Sequence, residues 1–199
     1  MYKDHNPPCR EFMQDSPYGM YLGGVFVQST IQERSERLEE IMESVRSVGA
    51  QKTKKAYWGN KVKAVDHMYD NMDEIHENLM KFIRSKKDVH YKCMDYITQI
   101  PNFGLAKAGF YTQLLTGGVG CLDSHNCKIY GVEKKDLSIS GVSDALRQKR
   151  IRMYLDLCKV IGGSRYLWNQ WCNYVASLYP KVWRDGYHVS ELHVRCLHY

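Results

Sequence analysis

The sequence predicts an all-α protein, and three observations carry that expectation. Apolar residues recur at three- and four-residue intervals along most of the chain. No stretch alternates apolar with polar residues as a half-buried strand does, and glycine or proline marks the ends of several periodic segments. In segment 24–48, Val25, Val27, Ile31, Leu38, Ile41, Met42 and Val45 are interleaved with Glu and Arg, an amphipathic helical pattern with a break near its start. A basic linker with Lys52, Lys54, Lys55, Lys61 and Lys63 follows. Helices are expected at 61–71 and 72–85, the second with Ile75, Leu79, Phe82 and Ile83 on one face. Asp88 is placed to cap a helix running to about residue 99. The next helix spans 105–115 and stops at Gly117-Gly118, and 136–141 reads as a loop. Helices then follow at 142–161, ended by Gly162-Gly163, at 164–178, ended by Pro180, and at 188–196. There is no repeat, no low-complexity tract and no clear linker between domains. Residues 24–199 therefore read as one helical domain, preceded by an N-terminal extension, 1–23.

Composition sets outer limits. At 199 residues and 44% hydrophobic content, the chain can bury a core of its own. A net charge of +6 and a pI of about 8.9 suit a phosphate-bearing partner without requiring one. Seven cysteines, at 9, 93, 121, 127, 158, 172 and 196, form no CxxC and no zinc spacing. Their odd number, with no apolar signal region at Met1-Tyr2-Lys3-Asp4-His5, points to reduced thiols in a cytoplasmic, intracellular protein. No run approaches the ~20 apolar residues of a membrane span. His193 and His198 are five apart, not a metal-ligand pair on one helical face, so no metal is expected.

The chemistry concentrates in two short stretches. Ile100-Pro101-Asn102-Phe103-Gly104-Leu105-Ala106-Lys107-Ala108 reads as a tight hairpin, spanning 100–108, between two helices. Such a turn directs backbone amides outward, where they can hold a phosphate. Asn102 sits where a left-handed backbone is needed, which asparagine tolerates best after glycine. Gly120-Cys121-Leu122-Asp123-Ser124-His125-Asn126 then places a carboxylate 19 residues beyond Gly104, at the start of another helix. Taken alone, Asp123 reads first as an N-cap.

The turn and the Asp motif at this separation resemble the helix-hairpin-helix DNA glycosylase superfamily. The family pattern is Leu-Pro-Gly-x-Gly, a helix, then Val-Asp-x-His with a catalytic Asp. Pro101 and Gly104 match the hairpin Pro and second Gly, Asn102 replaces the first Gly, and Leu122-Asp123-Ser124-His125 matches the Asp motif. The resemblance covers roughly residues 24–131 and implies an all-α fold of two interleaved lobes. It further implies a monomer acting on double-stranded DNA, modified or damaged, with no cofactor but with hairpin carbonyls able to hold a monovalent cation. Asp123 would be catalytic. Asn102, Phe103, Gly104, Leu105 and Lys107 would meet a phosphate, and the run Arg147-Gln148-Lys149-Arg150 would add charge through Arg147, Lys149 and Arg150. Phe26-Val27-Gln28-Ser29-Thr30 resembles the family's Leu-Ser-Gln-Gln-Thr, which puts Gln28 and Ser29 beside an extruded base. His125 and Asn126 would flank that base, with Tyr111 and Trp168 as aromatic walls. Trp168, Trp171 and Tyr174 share one helical stripe, which equally suits core packing.

Two departures narrow the expectation. Bifunctional relatives place a Schiff-base lysine where this chain has Ala106, and Lys107 is about 100° further around the helix. Relatives with an iron–sulfur cluster carry four closely spaced cysteines, whereas Cys158, Cys172 and Cys196 are too few and too dispersed. Lyase chemistry and a cluster are therefore not expected. Three functional classes remain. The first is a monofunctional DNA base glycosylase of the kind used in repair. The second resembles the phage transferases of the same fold, which attach an amino acid or polyamine to pyrophosphorylated 5-hydroxymethyluracil; a phage-encoded chain would act inside the host cell. The third is a non-catalytic DNA-binding module.

Overall fold

Two helices are buried on nearly every side, and the others pack around them. The computed structural model describes residues 6–30, 33–49 and 59–198, so Met1 to His5, Ile31 and the linker lysines 52, 54 and 55 lie outside the described residues. The first central helix, α2 (Pro17–Ser29), begins with Ser16, whose Oγ accepts from the Gly19 amide at 3.0 Å, and with Pro17 in its first turn. Every residue from Gly19 to Ser29 is buried. Neighbours approach its glycines closely: a Cβ on Gly23 would lie 2.5 Å from Met13 Cε. Around α2 pack α1 (Asn6–Asp15), α3 (Leu38–Val48), α4 (Asn60–Asp70) and α5 (Met72–Ser85).

The second central helix, α7 (Leu105–Thr116), follows α6 (Val89–Ile97) and packs against α1, α2 and α6. It ends at Gly117, which is left-handed at φ 76°. A short helix, α8 (Ser124–Ile129), leads through a 3-10 turn at Lys134–Leu137 to α9 (Asp144–Ile161), capped by Ser143, and then to α10 (Gly163–Leu178). The chain closes with α11 (Gly186–Ser190) and α12 (Leu192–His198), and α12 returns to pack on α1, α2 and α3. Among the described residues there is no strand, and no helix is long and apolar enough to cross a membrane.

The helices at 61–71, 72–85, 105–115, 142–161 and 164–178 stand within two residues of their expected bounds. Four local expectations are corrected. Residues 6–23 are not a detached extension: they form α1 and most of α2, and Met13, Met20 and Leu22 lie in the core at 1% exposure or less. Segment 24–48 is two helices with a 3-10 turn at Ser35–Arg37 between them, because its first apolar residues belong to a helix started upstream by Ser16. Asp88 does not cap α6. It is left-handed at φ 51°, its side chain accepts no capping bond, and together with Lys86 at φ 54° it makes the turn out of α5. Segment 188–196 is divided between α11, started earlier by the Asp185 cap, and α12.

Candidate active site

The hairpin is built from short backbone bonds. Ile100 N–H donates to Ile97 at 3.0 Å and Phe103 N–H to Ile100 at 3.1 Å, while Asn102 takes the left-handed conformation at φ 62°. Phe103 and Leu105 are buried at 3%, and the Phe103 ring meets Tyr111 edge-on at 5.9 Å, so these two side chains anchor the turn. Gly104 opens α7 with an extended backbone, φ −79° and ψ 176°, and no side chain caps the helix. A Cβ on Gly104 would meet nothing within 4 Å, so the approach to these first amides is open.

Gln28 braces the hairpin from behind. Its Oε1 accepts from Asn102 Nδ2 at 2.9 Å, its side chain is 0% exposed, and its buried Nε2 has no partner among the described residues. Ser29 is buried as well and donates to the Val25 carbonyl at 2.8 Å. Neither lines the cavity beside Asp123, where Val27 and Thr30 are what the end of α2 contributes. Tyr111 is likewise a core residue, fully buried and donating to the Met20 carbonyl at 2.8 Å.

The segment from Gly117 to Asp123 runs back along α7 and is clamped there. Tyr154 Oη donates to the Gly120 carbonyl at 2.7 Å and accepts from the Leu122 amide at 2.8 Å. Only glycine fits at 109, where a Cβ would come within 2.5 Å of the Gly120 oxygen. Asn126, wholly buried, donates to the Cys121 carbonyl at 2.7 Å. Asp123 Oδ1 then accepts from the His125 amide at 3.0 Å and the Asn126 amide at 2.8 Å, so it is indeed the N-cap of α8. Both bonds go to Oδ1, and among the described residues nothing donates to Oδ2. His125 stacks on Tyr174 with ring centroids 3.2 Å apart, and neither it nor Asn126 reaches the cavity beside Asp123.

That cavity, about 350 Å³, lies between α7, the 121–124 segment, the end of α2 and α10. Phe110, Trp168 and Trp171 form an aromatic wall: Phe110 and Trp168 stack at 5.8 Å, and Trp168 and Trp171 at 5.2 Å. The polar residues are Lys107, Gln113 and Asp123, with Thr30 and Ser124 at the margins. Ala106 and Lys107 both line the cavity, so the ~100° of rotation between them does not carry the lysine away from it. Lys107 Nζ donates to the Asn102 carbonyl at 2.6 Å. Burial, with the nearby Lys61 ammonium adding to it, lowers the Lys107 pKa to about 8.

The remaining basic residues separate by partner. Arg147 is committed to the fold: it pairs with Asp95 at 2.7 Å and donates to Thr98 Oγ1 at 3.1 Å, tying α9 to the end of α6. Arg150 donates to the Ser138 carbonyl, while Lys149 is exposed. A second groove, about 410 Å³, has Lys128, Lys134, Lys135 and Glu133 as its charged lining, and Ser124 borders both cavities. Of the residues singled out in the sequence, Asp123, Lys107 and Trp168 thus converge. Trp171 joins them from the stripe it shares with Trp168, and Phe110 and Gln113 join unannounced. The available signal was their spacing, since Phe110 and Gln113 lie four and seven residues after Ala106 on one face of α7. Among the described residues, no group of three or more His, Cys, Asp or Glu could hold a metal ion. No protein-family model, no curated protein and no solved structure matches the chain.

Proposed function

We propose that the protein binds DNA through its hairpin, takes an extruded base into the aromatic cavity and cleaves the N-glycosidic bond with Asp123, as a monofunctional base glycosylase. The observation that carries this reading is a single carboxylate in one cavity with a three-ring aromatic wall, next to an uncapped helix start open to solvent. The amides at the start of α7 suit a backbone phosphate, and the aromatic wall suits a base removed from its stack. As the C1′–N bond breaks, the electron pair leaves with the base and positive charge develops on the sugar. An ionised Asp123, pinned through Oδ1, stabilises that charge and can orient the water that attacks C1′. The test is base release from duplexes carrying uracil, hydroxymethyluracil, alkylated or oxidised bases, read as alkali-labile strand breaks. Breaks made by the native protein and lost in Asp123→Asn are expected. Silence across the panel counts against hydrolysis.

One observation favours the second reading, group transfer at the exocyclic carbon of a pyrophosphorylated 5-hydroxymethyluracil. The groove of Lys128, Lys134 and Lys135, which also holds Glu133, adjoins the cavity at Ser124 and offers a net cationic cradle for departing pyrophosphate. Incorporation of labelled amine into pyrophosphorylated DNA, without abasic sites, would select that reading.

A further inference from the structure

The amide of Gln113 is placed where the fold gives it little to bond. It is 1% exposed, on a cavity wall it shares with Ala106 and Phe110 of the same helix and with Leu167 and Trp168 from α10. Its Nε2 donates to the Ser164 carbonyl at 3.4 Å, a long bond. Among the described residues, no group donates to its Oε1. A buried amide is costly unless something completes its hydrogen bonding, and Lys107 and Asp123, the other polar groups on this cavity, make no bond to it among the described residues.

What would complete it is an edge that pairs an acceptor with an adjacent donor. The amide presents one remaining N–H beside one carbonyl oxygen, and the Watson–Crick edge of each nucleobase offers the complement. Gln28, the amide singled out in the sequence for this task, cannot serve, because its carbonyl is taken by Asn102 and it does not line the cavity. The aromatic wall would fix the plane of the ring and leave Gln113 to read its edge.

We propose that Gln113 is the specificity-determining residue of the cavity: it reads the Watson–Crick edge of an extruded base, so bases with that edge intact are accepted and bases methylated on it are rejected. This rests on the base-flipping reading above, since Gln113 meets a base edge only if one enters the cavity.

The experiment measures binding in the Asp123→Asn background, which removes turnover. The probes are duplexes with one central adenine, cytosine, guanine or thymine, its counterpart methylated on the Watson–Crick ring nitrogen, or an abasic site, each opposite an abasic nucleotide to ease extrusion. With Gln113 present, at least one natural base is expected to bind about tenfold or more tightly than its methylated counterpart, the discrimination of a good bidentate contact. Adding Gln113→Met should erase that gap by weakening the natural base alone, with affinity for the abasic duplex unchanged. Gln113→Glu, which keeps length and the acceptor but loses the donor, should narrow the gap, and serves if the methionine variant does not fold. A gap of the same size in a folded Gln113 variant overturns the role of Gln113 while leaving base flipping intact. A panel in which Asp123→Asn prefers no base over the abasic site overturns base flipping itself, and this role with it.

Discussion

The Tyr154 hydroxyl donates to the carbonyl of Gly120 at 2.7 Å, three residues before the carboxylate of Asp123. The same oxygen accepts from the Leu122 amide at 2.8 Å, so one fully buried phenol fixes the backbone that delivers the candidate catalytic group. Tyr154→Phe keeps the ring but leaves the Leu122 N–H buried without a partner. A loss of about 1–3 kcal/mol in stability is expected. Base release should fall about 10²-fold, the cost of an ångström-scale displacement of a reacting group. Urea unfolding and single-turnover kinetics measure the two. An unchanged rate would mean that Asp123 does not depend on this clamp.

The basic residues divide into two kinds, and salt separates them. Arg147 is spent on Asp95 and Thr98, so Arg147→Met should cost about 1.5–3 kcal/mol of stability and leave the salt dependence of DNA binding unchanged. Lys134→Gln or Lys135→Gln should do the reverse. Stability should stay within about 0.5 kcal/mol, and the slope of log K against log salt should fall by about one unit for each phosphate contact removed. Titrations between low and moderate salt decide this, and a slope that responds to Arg147 but not to the lysines contradicts the assignment.

Gly104 sits at φ −79° with open space where a side chain would go, so the fold does not require glycine there. Gly104→Ala should therefore melt within about 1 kcal/mol of the native protein. If a phosphate comes up against the amides of α7, the added methyl should still weaken DNA binding by about tenfold, roughly one hydrogen bond. Unchanged affinity would remove the hairpin from the DNA interface.

Lys107 gives a pH signature with a definite sign. Its pKa is about 8 in the folded chain against an ordinary 10.5, because of burial first and the Lys61 charge second. Between those values the unfolded chain holds a proton that the folded chain has released, so this group makes stability rise with pH across that window; below about 8 its contribution is flat. The native protein should gain stability relative to Lys107→Met from pH 8 to pH 10, measured by urea unfolding at each pH. With its amine bonded to the Asn102 carbonyl, borohydride is expected to trap no protein–DNA adduct. A trap lost in Lys107→Met would instead make that amine the nucleophile.

What the sequence made legible was largely local. Helices bounded by their own signals, Ser143 before α9 or Gly117 after α7, stand close to where periodicity put them, and the left-handed Asn102 follows from its place in the turn. Helices buried on all sides defeat periodicity, since they have no polar face to set a phase. For that reason α2 was read from its middle and its start was assigned to an extension. The lining of the cavity was only partly legible for a related reason. Gln28 and Tyr111 were singled out by type and position, yet which side of a fully buried helix faces a cavity depends on what packs across from it. Gln113 was hidden in the same way, because only the arrival of α10 turns its face of α7 into a wall. Arg147 reads in the sequence as charge for a phosphate, and only the fold brings it to Asp95, 52 residues earlier.

The most direct test of the central claim is Asp123→Asn, measured for base release and for DNA affinity in one experiment. Asparagine is as good an N-cap as aspartate, so α8 and the fold should survive. The charge that would stabilise the sugar cation is removed while the shape is kept. The expected result is loss of base release by at least about 10²-fold, the scale of losing a single electrostatic stabiliser, with DNA affinity nearly unchanged. Base release at the native rate from a folded Asp123→Asn protein would contradict the account.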